Sequence, residues 1–365
     1  PTLVSIDAHP AALPHWGVAS ADVSYEMPVQ GDGSTRSAML FMGTIPSYAG
    51  PVRSARVPMG SLREIWDSAW VFYGWQNWAK GPNLVVDVDD WALSVHSDAR
   101  QKGRWVFPFV EGTERNYSDL FRRENDGEHV APHNVQINMN AVASLFTSES
   151  TKHPFKFTET GLDRGVDVSA ITINYKTTTP AYVSSYEYNE MTGLYERYRN
   201  GSPYYDALTG AQTEYANVIV LRTDVSWYNN APQRPVIQLV GQGVAEIFQN
   251  GKYIRGTWVR THDGKTGDDA KSLPARMIFL DENGEELEMK VGKTFIQIVN
   301  NDQAVIVNAG EQIEGATAQA TPAPTATPKP TRTPKPTRTP KASANATPAP
   351  VEGEDNADED VSFGG

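Results

Sequence analysis

The segment GPVRSAR, residues 50–56, combines residue types that bind anions. Two guanidinium groups, on Arg53 and Arg56, stand three residues apart, and Ser54 between them adds a hydroxyl group. Gly followed by Pro at the start of the segment indicates a turn, which places Ser54 near the entry to a helix. Guanidinium groups at a helix N-terminus can hold a carboxylate or a phosphate through paired hydrogen bonds. The segment therefore predicts an anion-binding site.

Internal ion pairing is the alternative role for these two arginines. Arg53 and Arg56 can instead pair with acids such as Asp22, Glu26 or Asp87 and hold an N-terminal sheet together. The sequence leaves both roles open. The local basicity stands out because the chain carries 32 Lys plus Arg against 44 Asp plus Glu, a net charge of -12. That balance excludes a protein that binds the phosphate backbone of nucleic acids, so we expect no nucleic-acid partner.

His133 and Asp87 are the candidates for acid–base chemistry. His133 lies in the run APHN, where an imidazole beside an amide can carry a proton, although it can equally be a hydrogen-bonded loop histidine. Asp87 and Asp89 would lie about 7 Å apart along one face of a strand. With Asp90 they could bind Ca²⁺ or act as acid and base, but a solvated strand end explains the same pattern.

The sequence predicts neither a metal site nor a cofactor. The chain has no Cys, which excludes zinc fingers, Fe–S clusters and cysteine nucleophiles. His129 and His133 have a spacing of four, but Pro132 interrupts the helix that would put both imidazoles on one metal ion. The runs GDGSTR and GQGVAE begin like dinucleotide-binding loops and lack the third glycine, so they are interpreted as turns.

Tryptophans cluster after the arginine-containing segment. Trp70 belongs to an apolar run and is predicted to be core. Trp75 and Trp78 lie in the polar run GWQNWAKGPN, so we predict that they are exposed on a loop and contact a ligand or partner.

The pattern of strands and helices indicates an α+β protein. A mixed N-terminal α/β domain over 1–150 is predicted to contain a hairpin across QGDGST, a helix after Ser61 and a second helix over 138–146. Residues 168–310 are predicted to form a mostly antiparallel β domain, a sandwich or open barrel. Its clearest hairpin is EIFQNGKYIRGTW, where Asn250-Gly251 predicts a type I′ turn.

Residues 316–365 are predicted to be disordered. They contain the repeated unit TPKPTR and end in the acidic run VEGEDNADED. Prolines at this density favour an extended spacer of roughly 90 Å, at about 3.1 Å per residue, that cannot build a core. Spacers of this kind suit an exported protein that stands off from a surface.

Six runs together resemble the YerB-like lipoprotein family. They are ADVSYE, GPVRSAR, APHN, YNEMTGLYERYRNGSPYYDALTG, VGQGVAEIFQNGKYIRGTW and VGKTFIQIV, and the resemblance covers roughly residues 1–308. It implies an exported bacterial protein with an α+β first domain and a β-rich second domain. It also implies that membrane contact is made only through a lipid anchor on a segment before Pro1. The family is a domain of unknown function and brings no catalytic residues.

We therefore expect an extracytoplasmic, non-enzymatic binding or scaffold protein, anchored at the surface of a Gram-positive-type bacterium. Arg53, Arg56 and Ser54 would contact an anionic cell-envelope ligand, with Trp75, Trp78 and His133 shaping the site. One alternative is a hydrolase or transferase that acts on peptidoglycan or glycan through His133 and Asp87. Another is a structural partner of a membrane-complex protein.

Overall fold

The computed structural model describes residues 1–74, 109–113, 117–146, 154–176, 178, 181–227, 234–260, 277–313 and 315. Trp75, Trp78 and Asp87 lie outside these residues, as do residues 316–365. Strands dominate the described part, so the predicted β-rich character is confirmed. Both α-helices in this part of the chain fall short of the length and apolarity that crossing a membrane requires.

Among the described residues, the first part of the chain contains eight strands and two α-helices. They are β1 (Thr2–Asp7), β2 (Val23–Pro28), β3 (Thr35–Phe41), β4 (Tyr48–Ala49), α1 (Val57–Trp66), β5 (Ala69–Phe72), β6 (Phe109–Glu111), β7 (Phe121–Arg123), β8 (Val135–Asn138) and α2 (Met139–Leu145). Short 3₁₀ helices occupy Pro10–Ala12, Val18–Ser20 and Ser118–Leu120.

The remainder of the described chain is built from strands. They are β9 (Phe157–Thr158), β10 (Val166–Asp167), β11 (Ala170–Asn174), β12 (Val183–Asn189), β13 (Leu194–Arg199), β14 (Ser202–Pro203), β15 (Glu214–Tyr215), β16 (Asn217–Thr223), β17 (Val225–Trp227), β18 (Pro235–Ile237), β19 (Gly241–Gln249), β20 (Lys252–Arg260), β21 (Met277–Leu280), β22 (Met289–Lys290), β23 (Thr294–Asn300), β24 (Val305–Val307) and β25 (Glu311–Ile313).

One sheet of 11 strands runs through both sequence regions, in the order β10-β20-β19-β16-β23-β2-β3-β1-β5-β6 with β21 on β20. The regions meet where β2 pairs in parallel with β23, from Val23 opposite Thr294 to Glu26 opposite Gln297. A separate N-terminal α/β domain is therefore not confirmed, and the boundaries 1–150 and 168–310 stay a prediction about the sequence.

Both faces of the central sheet are covered. Alternate residues such as Leu3, Tyr25 and Ile296 form one core with α1, which contributes Leu62 and Trp66. The intervening residues face the opposite side. There a sheet of seven strands, β11 to β15 with β24 and β25, packs on the C-terminal half through a second core. The short sheet of β4, β8 and β7, together with α2, packs on the N-terminal half.

Two hairpin predictions are confirmed by the strand register. Strands β2 and β3 pair antiparallel across the QGDGST turn. Strands β19 and β20 pair up to Gln249 opposite Lys252, and Asn250 and Gly251 have φ of 52° and 69°. Positive φ at both central residues is what a type I′ turn requires, because it matches the twist of the flanking strands.

The predicted start of the first helix was wrong, whereas the second helix is confirmed. Helix α1 begins at Val57 rather than after Ser61, with Arg56 at the N-cap. Pro58 explains the earlier start, because its fixed φ and missing N–H suit the first turn of a helix. Helix α2 has Asn138 at its N-cap, where the side chain accepts a hydrogen bond from the Ala141 N–H at 3.0 Å.

Candidate functional site

The predicted anion-binding segment lies at one edge of the central sheet. Strands β1, β5 and β6 are parallel, so their carboxyl ends meet at that edge. Residues 50–56 cross it: Arg53 donates its N–H to the Ser5 carbonyl at 2.9 Å and accepts from the Tyr73 N–H at 3.1 Å. The segment then enters α1. In sheets with parallel strands, ligands bind outside these carboxyl ends.

Gly50 allows the segment to approach its neighbours. A Cβ at this position would lie 2.6 Å from the Val135 carbonyl oxygen and 3.3 Å from the Trp16 ring. Because the Val135 oxygen is also the acceptor for the Val52 N–H at 2.7 Å, a larger residue would displace this contact and the segment that follows.

Asp7, the last residue of β1, joins two of the predicted site residues. Its Oδ2 lies 3.0 Å from the Arg53 Nε and 2.7 Å from the His133 Nδ1, and Oδ1 accepts from the His9 N–H at 3.1 Å. Burial raises the pKa of Asp7, but the His133 hydrogen bond and the charges of Arg36 and Arg53 outweigh burial and lower it to about 2. Asp7 is therefore an anion at neutral pH.

Arg56 is buried without an acidic partner in the described chain. The residue is 7% exposed, and its Nη1 donates to the Ala55 carbonyl at 2.8 Å, while Nε has no partner among the described residues. Burial, with the positive charges of Arg36, Arg234 and Arg53, lowers the pKa of Arg56 from its usual value. A guanidinium in this position is stabilised by any anion that reaches it.

Arg36 adds a third buried guanidinium that sequence reasoning missed. It lies opposite Asp7 in the pairing of β1 with β3, is 6% exposed, and donates from Nη1 to the Ser54 carbonyl at 2.7 Å. Its Nε has no partner within the described chain. The alternation of side chains along β3 could have indicated that Arg36 is buried, because Arg36 lies on the same face of the strand as the core residues Ala38 and Leu40.

Arg234 lies just before β18, which packs on α1, and completes the group. Its charge acts on both Arg36 and Arg56, and its Nη1 lies 3.4 Å from the Gln30 side-chain oxygen. The sequence offered no pattern that connects it to residues 50–56. We call this group the arginine cluster: Arg36, Arg53, Arg56 and Arg234.

Two of the three acids considered as internal partners are occupied elsewhere, and the third, Asp87, lies outside the described residues. Asp22 accepts from the Met42 and Gly43 N–H groups at 2.7 and 3.0 Å. Glu26 forms ion pairs with Arg197, at 3.1 Å, and Arg199. Within the described ranges, internal pairing therefore applies to Arg53 alone, through Asp7.

His133 has the geometry of an oriented proton carrier. An ionised carboxylate only accepts hydrogen bonds, so the Nδ1–H of His133 donates to Asp7. The ring stacks on His9 with centroids 4.3 Å apart and planes 16° apart. Burial, then the charge of His133, lowers the pKa of His9.

His129 does not share a ligand with His133. Its Nδ1 lies 2.6 Å from Asp126 Oδ2 and its Nε2 lies 2.9 Å from the Pro14 carbonyl oxygen, so both ring nitrogens are engaged. Across the ranges that the structure covers, no group of three or more His, Asp or Glu side chains could hold a metal ion.

A small apolar cavity lies away from these residues. It has a volume of about 90 Å³ at the opposite end of β1, where Pro1, Thr2, Phe41 and Phe146 form its walls. None of the predicted site residues lines it. The arginine cluster is thus distinguished by its charge and its unpartnered donors.

Fold and site together define a β-rich protein whose central sheet ends on a cluster of guanidinium groups with, among the described residues, a single carboxylate partner. Residues 1–152 match the N-terminal domain, and residues 171–296 the C-terminal domain, of the family described as protein of unknown function (DUF3048). The chain belongs to this family, which confirms the resemblance found in the sequence.

A curated relative and a solved structure agree with this assignment. The chain is 24% identical over 318 residues to the Bacillus subtilis (strain 168) protein named "Putative lipoprotein YerB", covering 86% of this chain and 85% of the relative. The crystal structure of the YerB protein from Bacillus subtilis has a TM-score of 0.64 at 23% identity, and the match covers 82% of this chain and 90% of that one. The structural match shows a shared fold.

Proposed function

We propose that this protein is an extracytoplasmic binding protein that holds an anionic group of the cell envelope at the arginine cluster. The relative's name, a lipoprotein, supports a location outside the cytoplasm and attachment through a lipid. Arg53, Ser54, Arg56 and His133 belong to the proposed site, and Trp75 and Trp78 remain predicted contacts. Capture by charge requires no chemistry, so the proposed role is non-enzymatic.

Arg56 is the observation that carries the proposal. Burying an ionised group without a counter-charge is costly, and removing its partner from a buried pair typically costs about 3–5 kcal/mol. Arg56 is 7% exposed and has no carboxylate within reach in the described residues. A bound anion would supply the missing counter-charge.

Purified Gram-positive cell walls provide the test. The protein should sediment with the walls, and the double variant R53A/R56A should lose most of this binding while still unfolding cooperatively. The control R122A/R164A removes two exposed arginines, which pair with Glu124 and with Asp281 and Glu282, and should bind like the parent. Equal loss of wall binding in both double variants, or no loss in R53A/R56A, would show that the arginine cluster is not the binding site.

An enzymatic alternative has one observation in its favour. Asp7 orients His133 through a 2.7 Å hydrogen bond, the arrangement in which a carboxylate fixes the tautomer of a general base. In the hydrolase or transferase hypothesis Asp7 would take the role first assigned to Asp87. This alternative predicts turnover of peptidoglycan fragments that disappears in H133A and in D7N. The binding proposal predicts no turnover in any of the three proteins.

A further inference from the structure

We infer that the anion taken by the arginine cluster is a phosphate monoester, a group with two negative charges. This inference rests on the proposed function and specifies its ligand. It depends on three observations: the local balance of charge, the number of N–H donors without a partner in the described residues, and the arginine at the N-cap of α1.

The charge balance favours a dianion. Arg36, Arg53 and Arg56 carry three positive charges, because guanidinium groups stay protonated in proteins. Arg234, the fourth member of the cluster, is partly exposed and has no contact with Asp7, so solvent screens its charge and it is left out of the balance. Within the described residues, Asp7 supplies the one carboxylate of the site, leaving two positive charges where Arg36 and Arg56 are buried. A carboxylate or a phosphate diester, each with one negative charge, would neutralise half of this excess. A phosphate monoester above its second pKa, which is about 6, would neutralise all of it.

The unpartnered donors also exceed what a carboxylate can accept. Arg36 and Arg56 are 6% and 7% exposed, and the Nε of each has no partner in the chain as described. Each guanidinium has five N–H groups, and in the described residues one of them donates to a carbonyl, that of Ser54 for Arg36 and that of Ala55 for Arg56. A phosphate monoester offers three terminal oxygens, while a carboxylate offers two.

The N-terminus of α1 carries a positive side chain, which is unfavourable for a helix without a bound anion. Ser, Thr, Asp and Asn are the preferred N-cap residues, and negative charge is favoured at this positive end of the helix dipole. Here Arg56 is the N-cap, its side chain makes no capping hydrogen bond, and the first turn contains no acidic residue. An anion held by Arg56 would reverse this unfavourable charge. Pro58 removes one N–H from the first turn, so side chains rather than backbone groups would hold the ligand.

The negative charge of Asp7 repels an incoming anion. Its carboxylate is engaged by Arg53 and His133, which limits the repulsion. The balance of two positive charges already includes Asp7, so a dianion still completes the site.

Calorimetric titration of the full chain with three probes tests the inference. We expect glycerol 3-phosphate, a monoester, to bind about tenfold or more tightly than dimethyl phosphate or acetate. In R56M this preference should fall to about threefold or less, because one positive charge is lost. R56K keeps the charge and should retain more of the preference. The control R164M, at an exposed arginine, should behave as the parent.

The outcomes separate this inference from the proposed function. Equal affinity for all three probes overturns the phosphate monoester and leaves anion binding intact. No binding of any probe overturns both. Cosedimentation with phosphatidylcholine vesicles that contain phosphatidic acid, lost in R56M, would support a lipid headgroup as the source. Binding of glycerol 3-phosphate without cosedimentation would support a soluble or polymer-bound monoester.

Discussion

At the scale of single residues, Asp7 decides how much positive charge the site retains. Its pKa is lowered to about 2 in the folded protein, against an ordinary value of 3.8, so it stabilises the fold above about pH 4 and loses this effect as the pH falls towards 2. At pH 7 the free energy of unfolding of D7N, measured with urea, should therefore be about 2 kcal/mol lower than that of the parent. D7N should also lose less stability than the parent between pH 4 and pH 2. D119N, at an exposed acid, should behave as the parent. An unchanged acid dependence in D7N would contradict this role.

His15 gives a second prediction at this scale, in a higher pH range. It is buried against the Tyr204 hydroxyl, and burial, aided by the charges of Arg197 and Arg199, lowers its pKa to about 3. The unfolded chain binds a proton near pH 6.5, whereas the folded chain does so only near pH 3, so stability falls as the pH drops through this interval. The slope is at most about 1.4 kcal/mol per pH unit.

H15Q removes this titration. The parent should start to lose stability below about pH 6.5, while H15Q should lose less between pH 6.5 and pH 4.5, where its remaining slope comes from His9, whose pKa is also lowered by burial. Urea unfolding at half-unit pH steps measures the difference. Parallel curves for the two proteins would show that His15 is not held neutral.

At the scale of elements, the buried carboxylate of Glu26 connects β2 to the seven-stranded sheet. It accepts hydrogen bonds from Ser184 at 2.6 Å and from Arg197 and Arg199, with no side-chain exposure of its own. Burial raises its pKa, but the charges of Arg199 and Arg197 outweigh burial and lower it to about 2. E26Q would leave two buried guanidinium groups without their carboxylate, at a cost of about 3–5 kcal/mol.

E246Q is the matched control for this substitution. Glu246 is equally buried, its ion pair in the described residues is with Arg222 at 2.8 Å, and burial raises its pKa. Because the Glu246 carboxyl is shifted towards its neutral form, replacement by the neutral amide should cost less than E26Q. Urea unfolding at pH 7 compares the two, and an equal or larger cost for E246Q would contradict the account.

Local sequence patterns predicted most strands and helices, but they did not predict which distant strands and side chains would pair. The hairpin at Asn250 and Gly251 was predictable because positive φ is a property of the turn residues themselves. The predicted start of α1 was wrong because Ser61 resembles an N-cap residue, whereas Pro58 in the first turn favours the earlier start at Val57. The partner of Arg53 was missed because Asp7 is 46 positions away in sequence and becomes a neighbour only when β1 and residues 50–56 meet at the sheet edge. Strand order is not encoded in local periodicity.

At the scale of the whole molecule, the shared sheet makes the two sequence regions one folding unit. Strand β23 lies between β16 and β2, so it pairs in parallel with a strand from each region. We expect residues 1–313 to unfold in a single transition that tryptophan fluorescence and circular dichroism report at the same urea concentration. Residues 1–152 alone should not fold, because β2 would lose β23 and its buried Glu26 would lose both arginines. Two separated transitions would show that the regions are independent.

The central claim is that the buried guanidinium groups of Arg36 and Arg56 bind an anion, and this binding can be observed directly. In ¹⁵N-labelled protein, glycerol 3-phosphate should shift the Nε–H resonances of Arg36 and Arg56, which have no partner in the described residues. The Arg63 Nε–H, which donates to the Ser68 carbonyl at 2.8 Å, should stay in place. Resonances of Arg36 and Arg56 that remain unmoved at saturating ligand would contradict the account.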